Sequence, residues 1–135
     1  MWEVAQRIEL INMKLTENFS KSEFDSKDGA AMPLEVLQNI KELANNLQVL
    51  RDHLGKSISI NSGYRSPSHN KKEGGKKYSQ HLLGTAADIV VKGMQPSEVA
   101  KAIVQLIGEG KMKEGGLKAY ATFTHYDIRG FKARW

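Results

Sequence analysis

The sequence predicts an α+β fold, and three observations support this prediction. Apolar residues recur at three- and four-residue spacing over residues 34–54 and again over 96–107, as in amphipathic helices. Short alternating or continuous apolar runs at 57–61, 86–91 and 117–129 predict strands. Helices and strands are mixed without the regular βαβ alternation of a parallel sheet, which favours α+β.

The bulk composition indicates one globular domain over residues 1–135. The 135 residues are 40% hydrophobic and 26% charged, and a chain of this length can bury a core. There is no cysteine, which excludes a disulfide scaffold, a thiol nucleophile and a zinc site with cysteine ligands. No apolar run reaches about 18 residues, so we expect no membrane span. No secretory signal is visible at the N-terminus.

The N-terminal part of the chain predicts an extension, a loop and a long helix. Residues 1–14 form an N-terminal extension or a short amphipathic helix. Residues 15–31 have the composition of a loop, which Phe19 and Phe24 are expected to anchor on the body of the protein. Pro33 suits the first turn of the long helix that follows.

The remainder predicts a small set of strands around a second helix. Residues 57–61 alternate polar and apolar side chains, as in a short half-buried strand. Residues 69–79 contain two glycines and five charged residues without an apolar period, which predicts an exposed, mobile loop. The apolar run 86–91 predicts a buried strand, and Pro96 begins the second helix. One or two further strands are expected within 117–129.

The charge of the chain favours an anionic partner. The net charge is +5 and the pI is near 9.4, which suits nucleic acid, a membrane surface or the anionic polymers of a bacterial wall. Apart from the pairs Lys71-Lys72 and Lys76-Lys77, the basic residues are scattered. These pairs lack the interleaved aromatic residues of single-strand binders. We therefore interpret them as part of a solvated loop and expect no nucleic-acid partner.

The segment from Ser79 to Asp88 carries the strongest functional signal. It holds one imidazole, His81, seven residues before one carboxylate, Asp88. Asp88 lies inside an otherwise apolar strand, where a carboxylate is costly unless it is paired or bound to metal. A salt bridge to a lysine is one explanation, but His81 upstream leads us to favour a metal site.

A second imidazole–carboxylate pair, His125 and Asp127, lies near the C-terminus. In a strand, residues i and i+2 face the same side, so both side chains should face one site. Two histidines and a carboxylate from two segments suit catalytic zinc, which keeps a fourth position for water. His125 is then the third ligand. Asp127 is a catalytic candidate that acts as general base, orients a ligand or binds the metal itself.

Arg65 is the candidate for holding an anionic substrate group or a developing oxyanion. It directly follows a predicted strand, and an arginine fork matches a carboxylate in a bidentate manner. Pairing with a surface acid is the alternative. Ser79 is expected to bond the backbone or the substrate, and Tyr64 and Gln80 complete the substrate-binding candidates.

Three motifs in the same order resemble those of the zinc D-alanyl-D-alanine carboxypeptidase and endopeptidase family. This family includes vancomycin-resistance D,D-peptidases and phage endolysin peptidases. The motifs are Ser62-Gly63-Tyr64-Arg65-Ser66, Ser79-x-His81-x-x-Gly84-x-Ala86-x-Asp88 and the segment 123–130, which is similar to the closing motif of the small single-domain branch. Residues 15–24 also resemble that branch, so the similarity spans about residues 15–130.

The resemblance implies a hedgehog-like or D,D-peptidase-like fold in which a small antiparallel sheet packs against helices. It also implies one zinc ion held by His81, Asp88 and His125. Many relatives place an acidic general base three residues before the last histidine ligand. Thr122 stands at that position here, and Asp127 is our substitute for the missing acid.

The implied activity is hydrolysis of peptide bonds in bacterial peptidoglycan stem peptides or cross-links, by a monomer that acts in the periplasm or on the extracellular face. With no visible signal peptide, a phage-encoded lysin released from the cytoplasm at lysis fits the chain. The alternative is a non-catalytic, metal-containing module of the same fold that binds the cell wall or another partner.

Overall fold

The structure is a computed structural model that describes residues 13–135. Of the N-terminal extension or helix expected over residues 1–14, residues 1–12 lie outside this range. The elements in chain order are a first 3-10 helix (Lys21–Phe24), α1 (Leu34–Leu54), β1 (Ile58–Ser62), α2 (Pro67–Lys72), a second 3-10 helix (Gln80–Leu83), β2 (Ala86–Val91), α3 (Pro96–Gly108), β3 (Leu117–Ala119) and β4 (Thr124–Asp127).

The four strands form one antiparallel sheet in the order β1-β2-β4-β3, which confirms the predicted α+β class and its small antiparallel sheet. In this sheet β2 is an inner strand that pairs with β1 on one side and β4 on the other. Asp88 of β2 lies opposite His125 of β4. On the other side Asp88 lies opposite Ser62, beyond an irregularity between Ile60 and Ser62. The register therefore brings three separate segments to one point.

The core forms where α1 and α3 pack with the sheet. The predicted anchoring of the N-terminal segment is confirmed, because Phe19 and Phe24 are 1% and 0% exposed and belong to the same core. Gly55 has φ 64°, and this left-handed residue ends α1. The buried helical residues are Val36, Leu37, Ile40, Leu43, Ala44, Leu47 and Leu50 of α1 and Val99, Ile103 and Leu106 of α3.

The predicted loop at residues 69–79 is wrong in its first part, because α2 covers Pro67–Lys72. This helix of six residues is too short to show an apolar period, and its only buried residue is the polar Asn70. Its start follows ordinary rules, since Ser66 accepts a hydrogen bond from the backbone N–H of His69. Within residues 13–135, no helix has the length and apolar character needed to cross a membrane.

Leu47 tests the packing of α1 against the sheet. Its side chain is completely buried, so Leu47→Ala should leave a cavity and lower the free energy of unfolding by about 2–5 kcal/mol. Val104→Ala is the matched control, because Val104 on α3 is 51% exposed and should change stability by less than about 0.5 kcal/mol. Urea denaturation measures both, and equal losses would contradict the described packing.

Candidate metal centre

His81, Asp88 and His125 converge on one buried point. One ligand atom from each lies within 4.8 Å of the others, and the three residues are 2%, 7% and 8% exposed. Nε2 of His81 lies 3.3 Å from Oδ2 of Asp88, and Nδ1 of His125 lies 3.0 Å from Oδ1. The three metal ligands predicted from the sequence are therefore brought together by the fold.

His81 is held by the backbone on the side away from Asp88. Ser79 caps the second 3-10 helix, because its Oγ accepts a hydrogen bond from the His81 backbone N–H at 3.2 Å. The His81 ring places Nδ1 2.8 Å from the Gly63 carbonyl oxygen, so Nδ1–H is the donor. This leaves Nε2 directed at Asp88. Gly63 must be a glycine here, since a Cβ would lie 2.8 Å from the backbone Cα of Phe24.

His125 is held by a buried carboxylate. Its Nε2 lies 2.8 Å from Oδ2 of Asp127, and its Nδ1 faces Asp88. Asp127 also accepts hydrogen bonds from the Gly116 backbone N–H at 2.8 Å and from Arg129 through Nε at 2.9 Å and Nη2 at 2.7 Å. Burial raises the pKa of Asp127, but the bonds from His125 and Arg129 outweigh it and hold that pKa below its usual range.

This donor set fits a metal ion. One nitrogen of each imidazole bonds a structural acceptor, and the other points at the carboxylate of Asp88. Lone pairs that meet in this way need a cation between them, which is either a shared proton or a metal ion. Burial raises the pKa of Asp88, but the close contacts of its oxygens with His125 and His81 outweigh burial and hold that pKa below its usual range, so the carboxylate is ionised. Two imidazoles and one carboxylate are ligands that zinc accepts.

The centre opens into a cleft of about 730 Å³. Among residues 13–135, Asp88 is the only acidic residue that lines it, so the cleft is strongly basic and suits an anionic ligand. The basic residues of the lining are Arg65, Lys76, Lys77, Arg129, Lys132 and Arg134, and the aromatic ones are Tyr78, Tyr120, Phe123 and Trp135.

Three of the four predicted substrate-binding residues line this cleft, namely Arg65, Ser79 and Gln80. The side chain of Arg65 is 17% exposed, and its Nη2 lies 3.3 Å from Oδ2 of Asp88. Tyr64 is placed elsewhere, because its side chain is 5% exposed and belongs to the hydrophobic core. Contact between Tyr64 and a substrate would require the ring to leave the core.

The two positions considered for a general base both lie away from the open cleft. Thr122 is exposed and borders a small separate pocket over the sheet. The side chain of Asp127 is 0% exposed, and both of its oxygens accept hydrogen bonds. Of the three roles considered for Asp127, this geometry favours the orientation of His125.

Sequence reasoning missed an aromatic wall beside the metal centre. The Trp135 ring meets the His125 ring edge to face at 5.2 Å between centroids. Its Nε1 donates to the hydroxyl of Tyr120 at 3.0 Å, and the Arg129 guanidinium carbon lies 5.5 Å from its centroid. The clustered cationic and aromatic residues at 129–135 were the available sequence signal.

Asp127→Asn tests the support of His125. The substitution removes the charge that fixes the His125 N–H, so the zinc affinity should fall by about 10–100-fold. Competition with a chromophoric chelator measures this affinity. The control is Asp52→Asn, since Asp52 is exposed on α1 and accepts a bond from Gln48 there. An unchanged affinity in a folded Asp127→Asn protein would show that Asp127 does not orient the ligand.

Comparison with known proteins agrees with this geometry. A family model described as Peptidase M15 matches residues 12–127. The matched range contains all three metal-ligand candidates and Arg65. No curated protein matches the chain. Because the family match covers most of the sequence and confirms the resemblance seen in its motifs, this chain belongs to the peptidase M15 family, that of the zinc D-alanyl-D-alanine carboxypeptidases.

Proposed function

We propose that this protein is a zinc-dependent peptidase that hydrolyses peptide bonds in bacterial peptidoglycan stem peptides or cross-links. The observation that carries this proposal is the convergence of His81, Asp88 and His125 within 4.8 Å at the base of a basic cleft. The family supports a peptide substrate. The excess of cations in the cleft supports a substrate with carboxylate groups.

The chain supplies orientation and charge around the metal. One zinc ion held by the three ligands would activate a water molecule and polarise the scissile carbonyl. The Gly63 carbonyl and the Asp127 carboxylate keep the two imidazoles in place. Arg65 presents its guanidinium on the same cleft, where it binds a substrate carboxylate or the carbonyl oxygen on which negative charge develops. Ser79 acts through the backbone that carries His81.

Proton transfer is the step for which the described part of the cleft offers the fewest groups. Among residues 13–135, the cleft has no carboxylate besides Asp88, and Asp127 is buried behind His125. A general base contributes about 10²–10⁴-fold to the rate. We therefore expect slower turnover than in relatives that have an acid at the position of Thr122.

The same observation favours a second candidate function, a non-catalytic module that binds metal and the cell wall. Such a module would keep the metal centre and the basic cleft while lacking a proton acceptor. Under either function we propose that the protein acts as a monomer on the bacterial wall, in the periplasm or on the extracellular face. We also propose that the protein is encoded by a phage and is released from the cytoplasm at lysis.

Digestion of purified sacculi separates the two functions. Zinc-loaded wild type should release new amino and carboxyl ends, and the fragment masses should identify the bond that is cut. His81→Ala should bind less zinc and release no ends, because it lacks one ligand. The control His53→Ala removes an exposed histidine from the last turn of α1 and should behave as wild type.

The remaining outcomes also discriminate. Zinc binding by wild type without new ends would favour the non-catalytic module. Failure of the wild type to bind zinc in zinc-containing buffer would contradict both functions.

A further inference from the structure

A single buried amide connects two parts of the cleft wall. Asn70 lies on α2 and is 4% exposed. Its Oδ1 accepts a hydrogen bond from Nη1 of Arg65 at 3.3 Å, and its Nδ2 donates to the backbone carbonyl of Lys76 at 2.9 Å. Arg65 and Lys76 both line the cleft. Asn70 therefore touches the substrate-binding candidate Arg65 on one side and the segment 76–80 on the other.

The Asn70 amide has only one satisfactory orientation. If its oxygen and nitrogen exchanged places, the NH₂ group would face the Arg65 guanidinium and the oxygen would face a carbonyl. Both contacts would then pair like with like. Gly75 packs directly on the side-chain amide of Asn70, where a Cβ would overlap Oδ1. The Gly75 N–H also donates to the backbone carbonyl of Asn70 at 2.8 Å.

The helix that carries Asn70 is itself fixed. Its cap Ser66 donates from Oγ to Oδ2 of Asp28 at 2.6 Å and from its backbone N–H to Oγ of Ser26 at 3.1 Å. The N-terminal segment thus anchors α2. Of the Arg65 side-chain nitrogens, Nε donates to Ser62 at 3.1 Å and Nη2 faces Asp88 at 3.3 Å. Asn70 is consequently the partner that fixes the remaining terminal nitrogen, Nη1.

We propose that Asn70 is a positioning residue that sets the carboxylate-recognising wall of the cleft. It acts through Arg65 and the segment 76–80, and the ligand it serves is a peptide with a free carboxylate. The inference rests on the proposed function to the extent that Arg65 contacts this peptide. No hydrogen bond joins the Asn70 side chain to a metal ligand among residues 13–135, so zinc binding should persist without it.

A double-mutant cycle between Asn70→Ala and Arg65→Ala tests the proposal on the zinc-loaded protein. The probes are a peptide that ends in D-alanyl-D-alanine with a free carboxylate and the same peptide with a C-terminal amide. Calorimetry gives both dissociation constants. Asn70→Ala should weaken binding of the carboxylate peptide about tenfold, because a hydrogen bond to a charged group is lost. Asn70→Ala should weaken binding of the peptide with a C-terminal amide much less. In the Arg65→Ala background it should have no further effect on either dissociation constant.

Gly75→Ala and Asn39→Ala complete the set of variants. Gly75→Ala should reproduce the loss, since its Cβ displaces the amide of Asn70. Asn39→Ala is the matched control, because the Asn39 side-chain amide also donates a hydrogen bond to a backbone carbonyl, that of Leu83 at 2.9 Å. Asn39→Ala should leave the dissociation constants of both peptides as they are in wild type. Equal weakening of both peptides by Asn70→Ala, or additivity with Arg65→Ala, would overturn the proposal.

A measurement without ligand separates this inference from the proposed function. In ¹⁵N-labelled protein at low temperature, the Arg65 Nη1–H signal should exchange with water faster in Asn70→Ala than in wild type or Asn39→Ala, because Asn70 accepts its hydrogen bond. If this difference appears while wild type neither binds nor cleaves peptide, the proposed function fails and the positioning of Arg65 by Asn70 stands. If the exchange rates are equal, the positioning role fails whatever the activity.

Discussion

A negative charge buried in an inner strand is the constraint on which the rest of this structure depends. Asp88 is 7% exposed in β2, and an ionised carboxylate in such a place must be compensated by cations or by metal. The protein meets this requirement from three directions, with His81 from the second 3-10 helix, His125 from β4 and Arg65 from the segment that follows β1. The strand register, the irregularity between Ile60 and Ser62 and the second 3-10 helix before β2 bring these groups to the carboxylate.

The groups behind the ligands explain why backbone approaches so closely in this region. His81 needs the carbonyl of Gly63, and His125 needs the carboxylate of Asp127. Asp127 in turn packs against Gly116, where any Cβ would overlap its carboxylate. Glycine at position 116 therefore follows from the close approach of Asp127, and glycine at position 63 from that of Phe24. The site continues into a layer of backbone contacts that a ligand motif alone does not reveal.

The sequence predicted those parts of the fold and site that local pattern determines. Helical periodicity located α1 and α3, and a carboxylate inside an apolar strand located the candidate metal centre. The alternation of side chains along a strand placed Asp127 on the same face as His125. The depth at which Asp127 is buried follows from tertiary packing, which this alternation does not describe. Tyr64 neighbours Arg65 in sequence, yet its ring turns into the core. The roles of Asn70, Arg129 and Trp135 arise from contacts between segments, and α2 is too short for any period to predict.

The strand pairing that joins Asp88 to His125 spans 37 residues of chain. This protein has no cysteine and so no disulfide. An ion bound at this point would cross-link β2, β4 and the second 3-10 helix through its ligand bonds. Metal that binds only the folded chain stabilises it by RT ln(1 + [L]/Kd), about 4 kcal/mol at a thousandfold excess over Kd. The thermodynamics of folding and of metal binding would then be linked. The same chain would be a more or less stable protein according to the free metal concentration of the compartment it enters.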